Sequence, residues 1–172
     1  MGLNDVDDSR DGIARYLLRN PRTCLVATME DDELSNDGNV SDQMNRPGEG
    51  RGPKGSNGRR GPVVARDEDV RVEGLPPHGE AIVGVIMSGH DGRRGFIYHT
   101  CVTPDVRGHG VGSGLVEAAV AALCAEGISK VALVVFGRNK GGNAFWERLG
   151  FTARPDLTYR NKSLMELTRL DT

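Results

Sequence analysis

One short segment restricts the folds open to this chain more than any other: Val102-Thr103-Pro104-Asp105-Val106-Arg107-Gly108-His109-Gly110-Val111-Gly112-Ser113. The residues before it, Phe96 to Val102, are β-prone and read as a strand that Pro104 ends. The residues after it, Ser113 to Glu126, carry Leu115, Val116, Ala119, Val120 and Leu123 at helical spacing, and Gly127 closes that helix. A helix N-terminus carries unpaired N–H groups and a partial positive charge. Glycines at 108, 110 and 112 let a ligand approach that backbone closely. A strand, a side-chain-poor bend and a helix in this order make a cradle for a diphosphate.

Other phosphate cradles do not fit. The chain has no G-x-x-x-x-G-K-[ST] run. A G-x-G-x-x-G fingerprint started at Gly108 reaches Ser113 in its last place, and started at Gly110 it reaches Leu115. What matches is Arg-x-x-Gly-x-Gly, filled by Arg107, Gly110 and Gly112.

The remaining sequence supplies strands and helices around this turn. Asp8 or Ser9 can cap a short helix with Ile13, Tyr16 and Leu17 on one face, stopped at Asn20-Pro21. Cys24 to Thr28 and Ala81 to Met87 read as strands, and His90-Asp91-Gly92 turns the second into Phe96 to Val102. Val131 to Phe136 reads as a strand buried on both faces. Asn143 to Leu149 reads as a short helix ended by Gly150, and β-prone runs follow at Phe151 to Ala153 and Leu157 to Leu167. The expectation is a single α/β (α+β) layered domain over residues 1–172.

Residues 33–79 differ from the rest. They are rich in Gly, Pro, Asn, Asp, Ser and Arg, with too little apolar surface to offset ordering, and read as a disordered Gly/Arg-rich insertion. Glycine at every third place from Gly52 to Gly61 is too short a run for a collagen triple helix. A net charge of -2 gives no overall basic field for nucleic acid. No window holds the roughly 18 apolar residues that span a bilayer. The polar, acidic start is unlike a signal or transit peptide. Three cysteines without a C-x-x-C pair argue against a disulfide framework or a cysteine zinc site, and for a reducing, cytoplasmic setting with no metal.

Three linked pieces of this sequence resemble the GNAT superfamily of N-acetyltransferases: V-x-P-x-x-R-G-x-G-x-G from Val102 to Gly112, the helix and strand that follow, and N-x-x-G-x-x-F-W-x-x-x-G-F at Asn139, Gly142, Phe145, Trp146, Gly150 and Phe151. Residues Gly79 to Leu164 look like a group of small bacterial members of unassigned substrate. The resemblance implies a mostly antiparallel sheet flanked by helices, with splayed central parallel strands. It implies acetyl-CoA as the group donor, a small-molecule or protein amine as acceptor, and allows a homodimer. It also implies roles. Cys101 and Val102 would pair through their backbone with the pantetheine arm. Amides of Arg107, Gly108, His109, Gly110, Val111, Gly112 and Ser113 would hold the diphosphate. Asn139, with Gly142 in its motif, would hydrogen-bond the cofactor where two strands splay, and Asn143 and Trp146 would line its arm. Such domains open with a strand and a helix before the helix placed at Ser9, so the start reads as shortened.

Acetyl transfer needs a neutral amine, a polarised thioester carbonyl and a stabilised thiolate. Many family members carry a tyrosine acid at the place of Trp146; an indole N–H donates a hydrogen bond but releases no proton in this range. Tyr98, Tyr159 or solvent could serve in place of that acid, or thiolate stabilisation alone could suffice; the catalytic candidates are His99, whose residue type can take a proton near neutrality, and Tyr98. Strand alternation puts Tyr98 on the Val102 face and His99 on the other, and a bulge here would reverse that parity. Cys101 reads as a small buried hydrophobe, and direct attack by the amine is the expected route. A domain that binds coenzyme A without turnover, and a partner-binding protein acting through the Arg/Gly insertion, are the competing readings.

Overall fold

The computed structural model describes residues 3–30, 63–64 and 80–170. The first helix, α1 (Arg10–Arg19), begins where expected: the Ser9 side chain accepts from the Gly12 N–H, and Asn20 ends the helix with its own N–H bonded to the Tyr16 and Leu17 carbonyls. Strand β1 (Cys24–Glu30) follows, then β2 (Val63–Val64), β3 (Glu80–His90), β4 (Gly95–Val102) and β5 (Val131–Leu133). They form one sheet in the order β2-β1-β3-β4-β5. The β4–β5 pair is parallel and every other pair is antiparallel. This is the mixed, mostly antiparallel α/β architecture expected from the sequence. Apart from Val63 and Val64, which pair with Thr28 and Ala27, the 33–79 insertion lies outside the described residues.

The β3–β4 hairpin turns as its sequence directs. Asp91 Oδ1 accepts from the Arg93 and Arg94 N–H groups, both at 2.8 Å, and Gly92 adopts φ 88°, a conformation open to glycine. Helix α2 (Val111–Ala125) starts two residues before the expected Ser113, because Gly110 serves as its N-cap. Its apolar stripe, Leu115, Val116, Ala119 and Leu123, is buried, and the first three pack with Leu25, Ala27, Val83, Ile86 and Ile97 of the sheet. Leu115 and Leu123 are wholly inaccessible; burial of each contributes roughly 1.5–3 kcal/mol. Helix α3 (Lys140–Arg148) begins at Lys140 rather than Asn143, with Asn139 as its cap, and Gly150 follows it at φ 84°.

Two expectations are corrected. The strand read as Val131 to Phe136 and buried on both faces stops at Leu133 and is only partly buried. Among the described residues it is the edge of the sheet, with β4 on one side and no strand on the other, and Val134 and Phe136 are exposed. The β-prone runs after Gly150 do not form strands either: among the described residues of that stretch, pairing is confined to one bridge between Asn4 and Arg169. β-propensity describes fit to a pleated, half-buried surface. Arg160-Asn161-Lys162 interrupts the second run, and Leu157, Tyr159, Leu164 and Met165 around it are exposed.

Candidate active site

The site grows from an irregularity in β4. Ile97 pairs with Ser88 of β3, and His99 pairs with Met87, so Tyr98 is an extra residue without a partner on β3. A bulge of this kind disrupts the ladder and sharpens strand twist. On the opposite side, β4 pairs with β5 only from Gly95 to Ile97, against Val131 to Leu133. From Tyr98 and Val134 onward the two strands part. The gap is a groove of about 270 Å³ lined by Tyr98, His99, Thr100 and Cys101 on one side and by Val134, Phe136, Asn139 and Trp146 on the other.

The bulge also settles which faces the candidates occupy. Tyr98 leaves the α2 face and stacks edge-on with Tyr16 of α1, ring centroids 5.3 Å apart, and against Phe96 at 4.8 Å. Burial pushes the Tyr16 phenol well above its usual range, with smaller contributions from Cys24 and Tyr98, so this ring stays neutral beside Tyr98. His99 lines the groove and its Nε2 lies 3.1 Å from Asp8 Oδ1, in the turn that precedes α1. Tyr98 therefore does not share the face of Val102, whose side chain lies on the α2 side beside Gly112. Cys101, expected as a small buried hydrophobe, is an exposed free thiol in the groove wall.

Register decides which backbone groups the groove receives. The Thr103 N–H donates to the Val83 carbonyl at 2.9 Å. Hydrogen-bonded and non-bonded pairs alternate along an antiparallel ladder. Cys101, opposite Val85, therefore turns its backbone toward β3, while Thr100 and Val102, opposite Ile86 and Gly84, turn theirs toward the gap. The Val102 carbonyl confirms this: it accepts from Arg107 Nε at 2.9 Å, across the turn. Thr100, and not Cys101, is the partner of Val102 in presenting main chain to the groove. Its side-chain Oγ1 is buried without a hydrogen-bond partner.

The glycine turn sits at the end of β4. After a short 3-10 turn at Pro104–Val106, Gly108 and Gly110 adopt φ 83° and 87°, and a Cβ on either would meet no atom within 4 Å. No side chain caps the first amides of α2. His109 between the two glycines is exposed. Gly112 lies between Val102 and Phe145, a Cβ there standing 3.4 Å from the Phe145 ring, which brings the helix N-terminus beside α3. Left-handed glycines in open space, uncapped helix amides and an adjoining groove fit an extended ligand with a diphosphate at one end.

Helix α3 completes the far wall. Asn139 Oδ1 accepts from the Gly142 N–H at 2.9 Å and caps the helix. Gly142 is required there, since a Cβ would stand 2.5 Å from Asn139 Nδ2. Asn143 is turned away from the part expected of it: its Nδ2 donates to the carbonyls of Phe136 and Asn139, at 2.9 and 2.7 Å, and so fixes the loop from β5 to α3. Trp146 reaches the groove, packed edge-on between Phe145 and Phe151.

Two residues of this site escaped the sequence reading. Thr100 is reached only by counting through the bulge. Asp8 lies 91 positions from His99, and no local pattern joins them. Among the described residues, no group of three or more His, Cys, Asp or Glu is placed to hold a metal ion, and no helix is long and apolar enough to cross a membrane.

Known proteins resemble part of this chain. The model of the acetyltransferase (GNAT) family matches residues 56–151, more than half of the chain. An acetyltransferase of Sodalis glossinidius is 35% identical over 85 residues, covering 49% of this chain and 60% of that protein. One of Pectobacterium atrosepticum is 37% identical over 70 residues, 41% of this chain and 50% of that protein. The chain thus spans between half and three fifths of the length of these relatives. A solved aminoglycoside acetyltransferase from an uncultured soil metagenomic sample aligns over 49% of this chain and 59% of its own, with 19% identity and a TM-score of 0.43. The extent of the family match decides the assignment: this chain belongs to the acetyltransferase (GNAT) family.

Proposed function

We propose that the chain is an acetyl-CoA-dependent N-acetyltransferase that transfers an acetyl group directly to a primary amine of a small molecule or a protein. One observation carries the reading: the groove opened between β4 and β5 adjoins, through Val102 and Gly112, an uncapped, glycine-lined helix N-terminus. The charge and size of that turn suit a diphosphate, and the groove suits an extended arm that meets the main chain of Thr100 and the Val102 N–H along one wall.

Bound acetyl-CoA supplies an acetyl group activated as a thioester. The amides of Arg107 to Ser113 would hold its diphosphate, and the main chain of Thr100 and Val102 its arm. His99 takes the proton that the acceptor ammonium must lose before its nitrogen can attack. The Trp146 indole lines the same groove, donating a hydrogen bond at most. Tyr98 is half-exposed beside His99 and is the remaining hydroxyl able to return a proton to the leaving group. Cys101 is exposed in the groove, but direct attack by the amine needs no covalent relay through it.

Trp146 favours a second reading, binding of coenzyme A without turnover, because it stands where many family members have an acid. Calorimetry with acetyl-CoA, combined with thiol release across a panel of primary amines, separates the two. Binding with release of free thiol in the presence of one amine class supports the enzyme. Binding without release for any amine supports the second reading, and absence of binding removes both.

A further inference from the structure

We propose that Asp8 is a positioning residue for His99: its carboxylate keeps the imidazole proton on Nε2 and so leaves Nδ1 as the basic nitrogen in the groove. The inference rests on the reading of His99 as the proton acceptor given above, but its geometry stands alone.

Asp8 is the sole acidic side chain within ion-pair distance of His99 among the described residues, at 3.1 Å from Nε2. The Asp8 side chain is only 16% exposed, against 38% for that of His99. A carboxylate this sheltered needs other donors, and it has one: its Oδ2 accepts from the Asn4 N–H at 2.7 Å. Asn4 is itself fixed. It is buried, its Oδ1 accepts from the N–H groups of Val6 and Asp7, and its Nδ2 donates to Asp7 Oδ2 at 2.9 Å. The whole turn is tied to the C-terminal part of the chain. Asp5 N–H donates to the Thr168 carbonyl, Thr168 N–H to Asp5 Oδ1, and Leu170 N–H to the Leu3 carbonyl.

A carboxylate accepts and does not donate when ionised. Facing Nε2, it favours the tautomer with its proton there. The second nitrogen then keeps its lone pair, and the ring orientation is set by a group outside the groove. Substrate contact belongs to His99 alone; Asp8 acts through it.

The test uses the full chain labelled with ¹⁵N, without cofactor or acceptor, and reads the His99 ring by its two- and three-bond ¹H–¹⁵N correlations, assigned with His99→Gln. The expected wild-type pattern is a protonated Nε2 and an unprotonated Nδ1. In Asp8→Asn, the Nδ1–H form should gain population. A wild-type ring protonated on Nδ1 overturns the proposal without any variant. With an amine that is turned over, Asp8→Asn should lower kcat by about tenfold or more, less than the roughly hundredfold or greater loss expected for His99→Ala. KM for acetyl-CoA should stay within about twofold, and Asp8→Glu should recover part of kcat. An unchanged tautomer and an unchanged kcat in Asp8→Asn overturn it. Failure of every amine counts against the acetyltransferase reading and leaves the spectrum to decide the pairing.

Discussion

Arg107 Nε donates a 2.9 Å hydrogen bond to the carbonyl oxygen of Val102, closing the glycine turn onto the strand from which it departs. The guanidinium thus occupies a carbonyl facing the gap and holds the first residue of the turn against the last of β4. Lysine offers a flexible point charge in place of a planar fork. Arg107→Lys should weaken acetyl-CoA binding by about fivefold, equivalent to one ordinary hydrogen bond of ~1 kcal/mol. Calorimetry reads the affinity, and thermal melting should be nearly unchanged because the side chain is exposed. An affinity equal to wild type would separate this bond from the cradle.

Gly110 tests backbone against space. At φ 87° it lies where any side chain costs roughly 1–2 kcal/mol, although a Cβ would meet no atom within 4 Å. Gly110→Ala should therefore lower the melting temperature by a few degrees and displace the first amides of α2, with loss of acetyl-CoA affinity. Gly112→Ala is the matched control: its φ is not positive, and its Cβ reaches the Phe145 ring at ordinary contact distance. It should melt closer to wild type.

Thr100 buries a hydroxyl oxygen without a partner in the groove wall. Valine has the same shape and no polar atom to desolvate. Thr100→Val should raise stability by about 1 kcal/mol, seen as an increase of about 2–4 °C in Tm for a chain of this size. A drop in Tm would mean that the hydroxyl is satisfied in solution.

The β3–β4 turn carries an acid-sensitive element. Hydrogen bonds from the Arg94 and then the Arg93 N–H hold the Asp91 carboxyl down to about 2 in the folded chain, against an ordinary value of 3.8. A depressed folded-state value contributes stability that is complete above the unfolded value and lost as pH falls through the folded one. The turn should therefore loosen between about pH 4 and pH 2. Protection of the Arg93 and Arg94 amides, read as their exchange rate against the intrinsic rate at the same pH, should fall across that window, and in Asp91→Ala it should be low at every pH.

Much of this was legible in the sequence. Ser9, Asn20, Gly92, Gly127 and Gly150 fall at helix ends and turns because caps and turns are local chemistry. The apolar spacing of Leu115, Ala119 and Leu123 marks the buried face of α2 for the same reason. The losses are long-range. Val131 to Phe136 is apolar enough for an interior strand, but its burial depends on a neighbour that the β-prone runs after Gly150 do not provide. Asn139, Gly142 and Asn143 share one motif, and within it Asn139 and Gly142 also build the α3 cap while Asn143 clamps the loop before it. The partnership of Asp8 with His99 depends on how the ends of the chain meet, which no window of sequence contains.

The unpaired Tyr98 makes β4 one residue longer than the stretch of β3 it faces. That excess marks a junction in the sheet: upstream of it β4 is paired on both edges, and downstream it is paired with β3 alone. The cleft thus opens where an odd residue on one edge of β4 coincides with the end of pairing on its other edge.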